Sequence, residues 1–300
     1  MKKIFASIFV AVMAVSVLAA CGSSNGSEGN PDKLVIGFVP SQDSETIADT
    51  VQPLADKLGE EIGKEVEGRV MTNYTALVEA MGTNEVQIGF IPAFGYVLAN
   101  QEHGVEVILK SERYGSGTYK AQYLVQADSG IKSLADLEGK TWAYGDPTST
   151  SGYLFPAAQI ANKFDVSDPE TEFFGDSVQT GGHDNSAIAV YNGEADVATT
   201  FDDVRSDLKE EYPDIMDKLK VLQYTDEIPN DTISVTKELD DELQQQIKDT
   251  FLSFNNDEEM IKIMNEVYNW DAIIEAEDSE YDVVRETYEM FSDDISIDDM

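Results

Sequence analysis

From Leu34 onward, short runs of apolar and β-branched residues alternate with stretches whose apolar positions recur every three or four residues. The runs Leu34–Val39, Val66–Met71, Val86–Ile91, Val105–Lys110, Ala121–Gln126, Thr141–Tyr144, Asp196–Thr200 and Val221–Gln223 predict strands. Between them, Thr46–Leu58 places Ile47, Val51, Leu54 and Leu58 on one face, the pattern of an amphipathic helix. Ser133-Leu134-Ala135-Asp136 is a capping signal, and Gly139 stands where a helix begun there would end. From about Lys237 the period is helical, with one stripe of Leu239, Leu243, Ile247, Phe251 and Phe254 and another of Ile261, Met264, Val267 and Tyr268. Strand–helix alternation of this kind predicts α/β layers with largely parallel sheets.

The first twenty residues follow a different pattern. Met1-Lys2-Lys3 precedes an apolar run, Ile4–Ala20, that is too short to span a membrane and has the build of a secretory signal. Leu18-Ala19-Ala20-Cys21 resembles the lipobox of bacterial lipoproteins, which implies cleavage before Cys21 and a lipid on its sulfur. An ordinary signal peptide followed by an incidental cysteine is the alternative. Cys21 is the one cysteine in the chain, so internal disulfides and cysteine metal sites are excluded. Residues 21–33, rich in Gly, Ser and Asn, read as a flexible tether holding the folded part off the extracytoplasmic face of the cell membrane.

A chain of 300 residues, 42% hydrophobic, is long enough for about two domains with real cores. The charge changes the picture further. Fifty-eight acidic against 20 basic residues give a formal −38, which repels phosphate backbones and excludes nucleic-acid binding. It also disfavours attraction to anionic lipid headgroups.

Candidate chemistry lies in three segments. Asp146-Pro147-Thr148-Ser149-Thr150-Ser151-Gly152 follows a strand and precedes a helix. The successive hydroxyls of Ser149, Thr150 and Ser151, free first-turn N–H groups and the positive end of a helix dipole make an anion site that needs no Lys or Arg. Plain N-capping needs only one of those hydroxyls. Pro156 must fall in the first turn or introduce a kink. Gly181-Gly182-His183 is a glycine turn entering a second helix, where His183 is either a capping residue or a donor to a bound oxyanion. Asp202 and Asp203 follow a strand end and Asp231 follows a Pro-Asn turn, the places where α/β proteins set ligand contacts, although a solvated surface charge is the simpler reading. A Ser149/His183 hydrolase is a reading of another class. No Gly-x-Ser-x-Gly elbow, P-loop, dinucleotide fingerprint or zinc motif accompanies it, so no cofactor or metal is expected.

Taken together, these segments resemble the phosphonate/phosphite-type substrate-binding proteins of ABC importers. Gly37-Phe38-Val39-Pro40-Ser41-Gln42, Asn73-Tyr74 with the helix to Met81, Gly89–Ala99 and Ile228-Pro229-Asn230-Asp231 extend the match over nearly the whole mature chain. The resemblance implies a two-lobed periplasmic-binding-protein-like (type II) α/β fold with a ligand cleft between the lobes. Lobe one would hold 34–120 plus 228–300 and lobe two 121–227. It implies that Ser149, Thr150 and Ser151 hold the oxyanion, helped by His183 and by the hydroxyls of Tyr74 and Tyr119, with Asp231 facing the ligand from the other side. Asp203 matches the position at which family members hold the ammonium of an aminoalkyl phosphonate, one methylene shorter than the expected Glu. The implied partners are a phosphonate or phosphite ligand, an ABC permease and its ATPase. The alternatives are a receptor for inorganic phosphate or another tetrahedral oxyanion, a sensor subunit, and the surface-anchored hydrolase.

Overall fold

The computed structural model describes residues 26–291 except Glu28 and Asp43; the signal segment, Cys21 and most of the tether lie outside the described residues. Two sheets carry the fold. The first is built from β1 (Lys33–Phe38), β2 (Glu65–Val70), β3 (Ile88–Ile91), β4 (Glu106–Glu112), β10 (Thr232–Val235) and β11 (Ala272–Glu275), in the order β11-β4-β10-β3-β1-β2. The second holds β5 (Thr118–Gln126), β6 (Thr141–Tyr144), β7 (Asp176–Gln179), β8 (Val197–Phe201) and β9 (Leu219–Pro229), in the order β9-β5-β8-β6-β7. Within the tether, Gly26–Ser27 and Asn30–Pro31 pair as a short antiparallel ladder, and Gly29 accepts the Asp240 N–H, so part of it is fastened to the fold.

The expectation of largely parallel sheets is corrected. Only β1 with β2 and β3, and β6 with β7 and β8, run parallel; every other pair is antiparallel. The antiparallel pairs arise because the chain leaves the first sheet after β4 and returns to it with β10, entering each sheet from its far end. Those two passages, residues 113–117 and 230–231, are laced together. Asn230 Nδ2 donates to the carbonyls of Ser111 and Ser116 (3.0 and 2.8 Å), and Ser111 N–H donates to the Asp231 carbonyl (3.0 Å).

The helices are α1 (Ser44–Ile62), α2 (Tyr74–Gly82), α3 (Ala93–His103), α4 (Phe155–Phe164), α5 (His183–Asn192), α6 (Asp241–Ser253), α7 (Glu258–Tyr268) and α8 (Asp282–Glu289), with several single turns between them. α1 buries the stripe of Ile47, Val51, Leu54 and Leu58, and it lies so close to β2 that a Cβ on Gly68 would stand 2.2 Å from Val51 Cγ1. The Ser133 capping box is present, but it opens a single 3-10 turn, Leu134–Leu137, with Gly139 in the left-handed region just beyond. Aromatic stacks centre the two cores. Phe38, Phe90 and Trp270 stack at 4.7 and 5.0 Å under the first sheet, and Trp142 stacks on Tyr153 and Phe174 under the second. Burial of such large rings is the main favourable contribution to each core.

Candidate functional site

Parallel strands deliver their following loops to one edge, and here both sheets turn those edges toward each other. After β1 come Val39 and Ser41; after β3, Pro92; after β6, Ser149 and Ser151; after β7, His183; Phe201 ends β8. These residues, with Tyr74, Tyr119, Asp231 and Tyr268, enclose a cavity of about 30 Å³ as measured to the centre of a water-sized sphere. At about 10–15 Å³ per water on that measure, the space holds two or three waters or one small tetrahedral ion.

Four helical N-termini meet around it: α2 at Tyr74, α3 at Ala93, the turn entering α4 at Thr150, and α5 at His183. Each brings the positive end of a peptide dipole. Asn73 caps α2 by accepting from Ala76 N–H (2.7 Å), which fixes Tyr74 at the first helical position. Ser149 caps the next, its Oγ accepting from Gly152 N–H (3.0 Å). The turn Thr150–Leu154 is a π-turn that runs into α4, and Pro156 falls at the second position of α4, just past that turn. Gly181, at φ +84°, swings the chain into α5, and Gly182 is the N-cap.

Ser149 Oγ and His183 Nε2 stand 3.5 Å apart. A Cβ on Gly152 would sit 2.8 Å from Ser149 Oγ and 3.3 Å from His183 Cε1, so glycine keeps that approach open. Burial, reinforced by the positive charge of Arg113, pushes the His183 imidazole down to about 3; it is neutral at ordinary pH. No acceptor meets His183 Nδ1 among the described residues. Burial pushes the hydroxyls of Tyr74 and Tyr119 up, so both stay protonated donors. It also raises the Asp231 carboxyl, against a downward pull from Arg113.

Of the residues singled out from the sequence, Tyr74, Tyr119, Ser149, Ser151, His183 and Asp231 line this cavity. Thr150 and Asp203 do not. Thr150 Oγ1 accepts from Phe94 N–H (2.9 Å), a bond between the two halves of the fold. Thr75 Oγ1 with Thr148 Oγ1 (3.0 Å) and His183 N–H with the Ser41 carbonyl (2.9 Å) make the same crossing. Asp203 turns away to Arg205, which donates from Nε to Oδ1 (3.0 Å) and from Nη2 to Oδ2 (2.8 Å), and Gln122 Nε2 adds a third bond (3.1 Å). Burial raises the Asp203 carboxyl, but these bonds outweigh it and hold the group below its ordinary value.

The sequence reading missed Arg113. An anion site without Lys or Arg was expected; instead a guanidinium, 5% exposed, lines the cavity. It lies 4.8 Å from the ring centroid of Phe201 and 5.5 Å from that of Tyr119. A signal was available in the spacing. Arg69, Arg205 and Arg285 each have an acid two or three positions earlier, on the same side of a strand or turn, and each pairs with it. Arg113 has only its neighbour Glu112, which an extended chain points the other way.

Comparison with known proteins agrees with this architecture. Residues 36–281 match the family model described as ABC transporter, phosphonate, periplasmic substrate-binding protein. The phosphonates-binding periplasmic protein of Escherichia coli is 27% identical over 258 residues, 84% of this chain and 74% of that one. The phosphate-import protein PhnD of Mycolicibacterium smegmatis is 31% identical over 209 residues, 65% of each chain, so the match spans just under two thirds of that relative. Among solved structures, the binding component of a Pseudomonas aeruginosa ABC phosphonate transporter superposes with a TM-score of 0.78 at 23% identity, over 89% of this chain and 87% of that one. PhnD1 of Prochlorococcus marinus, in complex with methylphosphonate, gives 0.76 at 20% identity, over 88% and 99%. The fold is the two-lobed type II fold of periplasmic binding proteins. With a family model matched over most of its length, the chain belongs to the periplasmic substrate-binding proteins of ABC phosphonate transporters.

Proposed function

We propose that this chain captures a small phosphorus oxyanion, a phosphonate or phosphite, by closure of its two lobes, and delivers it to an ABC permease driven by its ATPase. Lobe one is residues 34–120 plus 228–300 and lobe two is 121–227, the chain passing between the sheets close to both limits. Cys21 carries the lipid that holds the receptor at the extracytoplasmic face of the membrane, with the signal segment removed before it.

One observation carries the reading: a small buried cavity to which both lobes contribute neutral hydroxyl donors and helix N-termini. Ser149, Ser151, His183, Tyr74 and Tyr119 hold the oxygens. Phe90, Ile91 and Phe201 supply the apolar wall that a P–H or P–CH₃ group needs and a fourth oxygen does not. Contacts from both lobes exist only in the closed state, so the ligand shifts the population toward it. The acidic surface does not oppose this, because its charges are screened over about 10 Å of salt solution while the donors act at contact.

The chain binds without turnover. A His183 imidazole that takes a proton only near pH 3, with no acceptor on its Nδ1 among the described residues, is a poor general base for Ser149 despite their 3.5 Å approach. Inorganic phosphate is the second candidate ligand, favoured by the M. smegmatis relative named for phosphate import.

The test is isothermal titration of the full chain in detergent with phosphite, methylphosphonate, 2-aminoethylphosphonate and phosphate. Tight binding of phosphite or methylphosphonate with phosphate far weaker is expected. Phosphate binding as tightly would make the chain a phosphate receptor, and heat without saturation for all four would overturn the reading.

A further inference from the structure

Four arginines stand in a chain of 58 acidic residues. Three of them meet carboxylates: Arg69 with Glu67, Arg205 with Asp203, and Arg285 with Asp278 and Asp282. Arg113 is the exception among the described residues. It is also the one that lines the cavity, and its Nε and Nη2 are buried without a protein acceptor. Leaving a buried charge unpaired is costly, and proteins keep one only where something compensates it.

Nε–H and Nη2–H are the two parallel donors on one side of the guanidinium plane, the fork that takes a pair of oxygens side-on. Arg205 displays its use in this same protein, with Nε and Nη2 each donating to one oxygen of Asp203. The Arg113 fork has the same two atoms, but its plane is held by the rings of Phe201 and Tyr119 rather than by a carboxylate. Asp231, Asp202 and Asp207 feel its charge from a distance and none pairs with it.

We infer that Arg113 is the cation of the binding site, its Nε–H and Nη2–H taking two oxygens of one tetrahedral oxyanion side-on as Arg205 takes Asp203. The inference rests on the oxyanion reading above and adds to it a formal charge and a direction. The residue stands in the first passage between the lobes and Asp231 in the second, so the charged groups of the site come from the hinge and the neutral donors from the lobes. A ligand gripped at the hinge leaves its other oxygens facing Ser149, Ser151 and His183, whose lobe must close to reach them. A head group with a positive charge beside its oxyanion is repelled by Arg113 and finds Asp203 already bonded to Arg205, which leaves Asp231 as the carboxylate of the cavity that can meet it.

The experiment titrates the full chain and its Arg113→Met and Arg113→Lys variants with phosphite, methylphosphonate, phosphate and sulfate, with a thermal melt of each variant. Arg113→Met is expected to lose at least 100-fold in affinity for whichever anion the wild type binds. Arg113→Lys, which keeps the charge and loses the fork, should lose about tenfold while melting as a folded protein. If the wild type binds only sulfate and both variants lose it, the phosphorus reading fails and the role of Arg113 stands. Affinity within threefold of wild type in either folded variant, or a wild type that binds none of the four anions, overturns the inference.

Discussion

The main-chain N–H of Phe94 donates to Thr150 Oγ1 at 2.9 Å, joining the first turn of α3 in one lobe to the turn that opens α4 in the other. On the closure reading proposed above, opening the cleft would break that bond. Thr150 therefore acts on the open–closed equilibrium, while its neighbours Ser149 and Ser151 face the cavity. Thr150→Ala should cost about 0.5–1.5 kcal/mol of apparent affinity, the range for one neutral hydrogen bond, and should show it as faster ligand release. Thr150→Ser should restore it. Ser149→Ala removes a donor to a charged ligand and should cost about 1.5–3 kcal/mol. Stopped-flow release rates and calorimetry on the three variants check this; a Thr150→Ala loss as large as that of Ser149→Ala would place Thr150 against the ligand instead.

Asp203 serves Arg205 rather than the cavity. Its carboxylate accepts from Arg205 and Gln122, and it caps the 3-10 turn Val204–Lys209 through Arg205 N–H (3.1 Å). Asp203→Ala leaves the mostly buried Arg205 without its anion. Because the pair is only partly buried, the expected loss of stability is about 1–3 kcal/mol rather than the larger figure for a fully buried one. Affinity for methylphosphonate should stay within a factor of two. The held-down carboxyl adds stability that is present above its ordinary range and is lost as the pH falls through the folded value, so the variant's deficit should shrink in acid. A Tm equal to wild type, or a tenfold loss of methylphosphonate, would return Asp203 to the site.

Much of the site is legible along the chain. The loops after β1 and β6 carry Ser41, Ser149 and Ser151, and strand periodicity is enough to locate them; His183 is located by the Gly181-Gly182 turn before its helix. Three strands escape that pattern, each for a physical reason. β7 is an edge strand with mostly exposed residues and no apolar alternation. In β10, Thr232 and Ser234 are fully buried but bond to each other (2.7 Å), so a central strand reads as polar. β11 is a four-residue edge whose pattern merges with the helical section around it. For Arg113 the local spacing shows only that no near acid pairs with it; its place in the cavity comes from long-range packing against Phe201 and Tyr119, which the sequence does not show.

His183 sets a pH dependence whose sign follows from its environment. In the unfolded chain its imidazole takes a proton near 6.5; in the fold, burial first and Arg113 second delay that to about 3. Between those values the unfolded state binds more protons, so this contribution is fully present above about pH 6.5 and stability is lost as pH falls through the window. The slope for one such group is at most about 1.4 kcal/mol per pH unit. Asp231 and Asp146, raised by burial, act in the opposite sense, since protonation relieves the cost of burying their charge. Comparing wild type with His183→Gln isolates the histidine. The variant's Tm should fall less between pH 6.5 and 4.5, and parallel curves would mean that the imidazole titrates normally.

Gly152 offers a test in which stability and binding move apart. The residue lies inside the helical turn that opens α4, and alanine there gains up to about 1 kcal/mol in helix propensity over glycine. The added methyl, however, would stand 2.8 Å from Ser149 Oγ and 3.3 Å from His183 Cε1. Ser149 must rotate or shift, which weakens its own cap on Gly152 N–H and withdraws its hydroxyl from the cavity. The two effects nearly cancel in the melt, and only the displacement of Ser149 reaches the ligand. Gly152→Ala should therefore melt within about 1 kcal/mol of wild type while losing tenfold or more in ligand affinity, close to the value for Ser149→Ala. The double variant Gly152→Ala/Ser149→Ala should bind no worse than the worse single one, because both act through one hydroxyl. Additive losses in that cycle would mean that the methyl obstructs the ligand itself, and an unchanged affinity would mean that Ser149 contributes nothing to holding it.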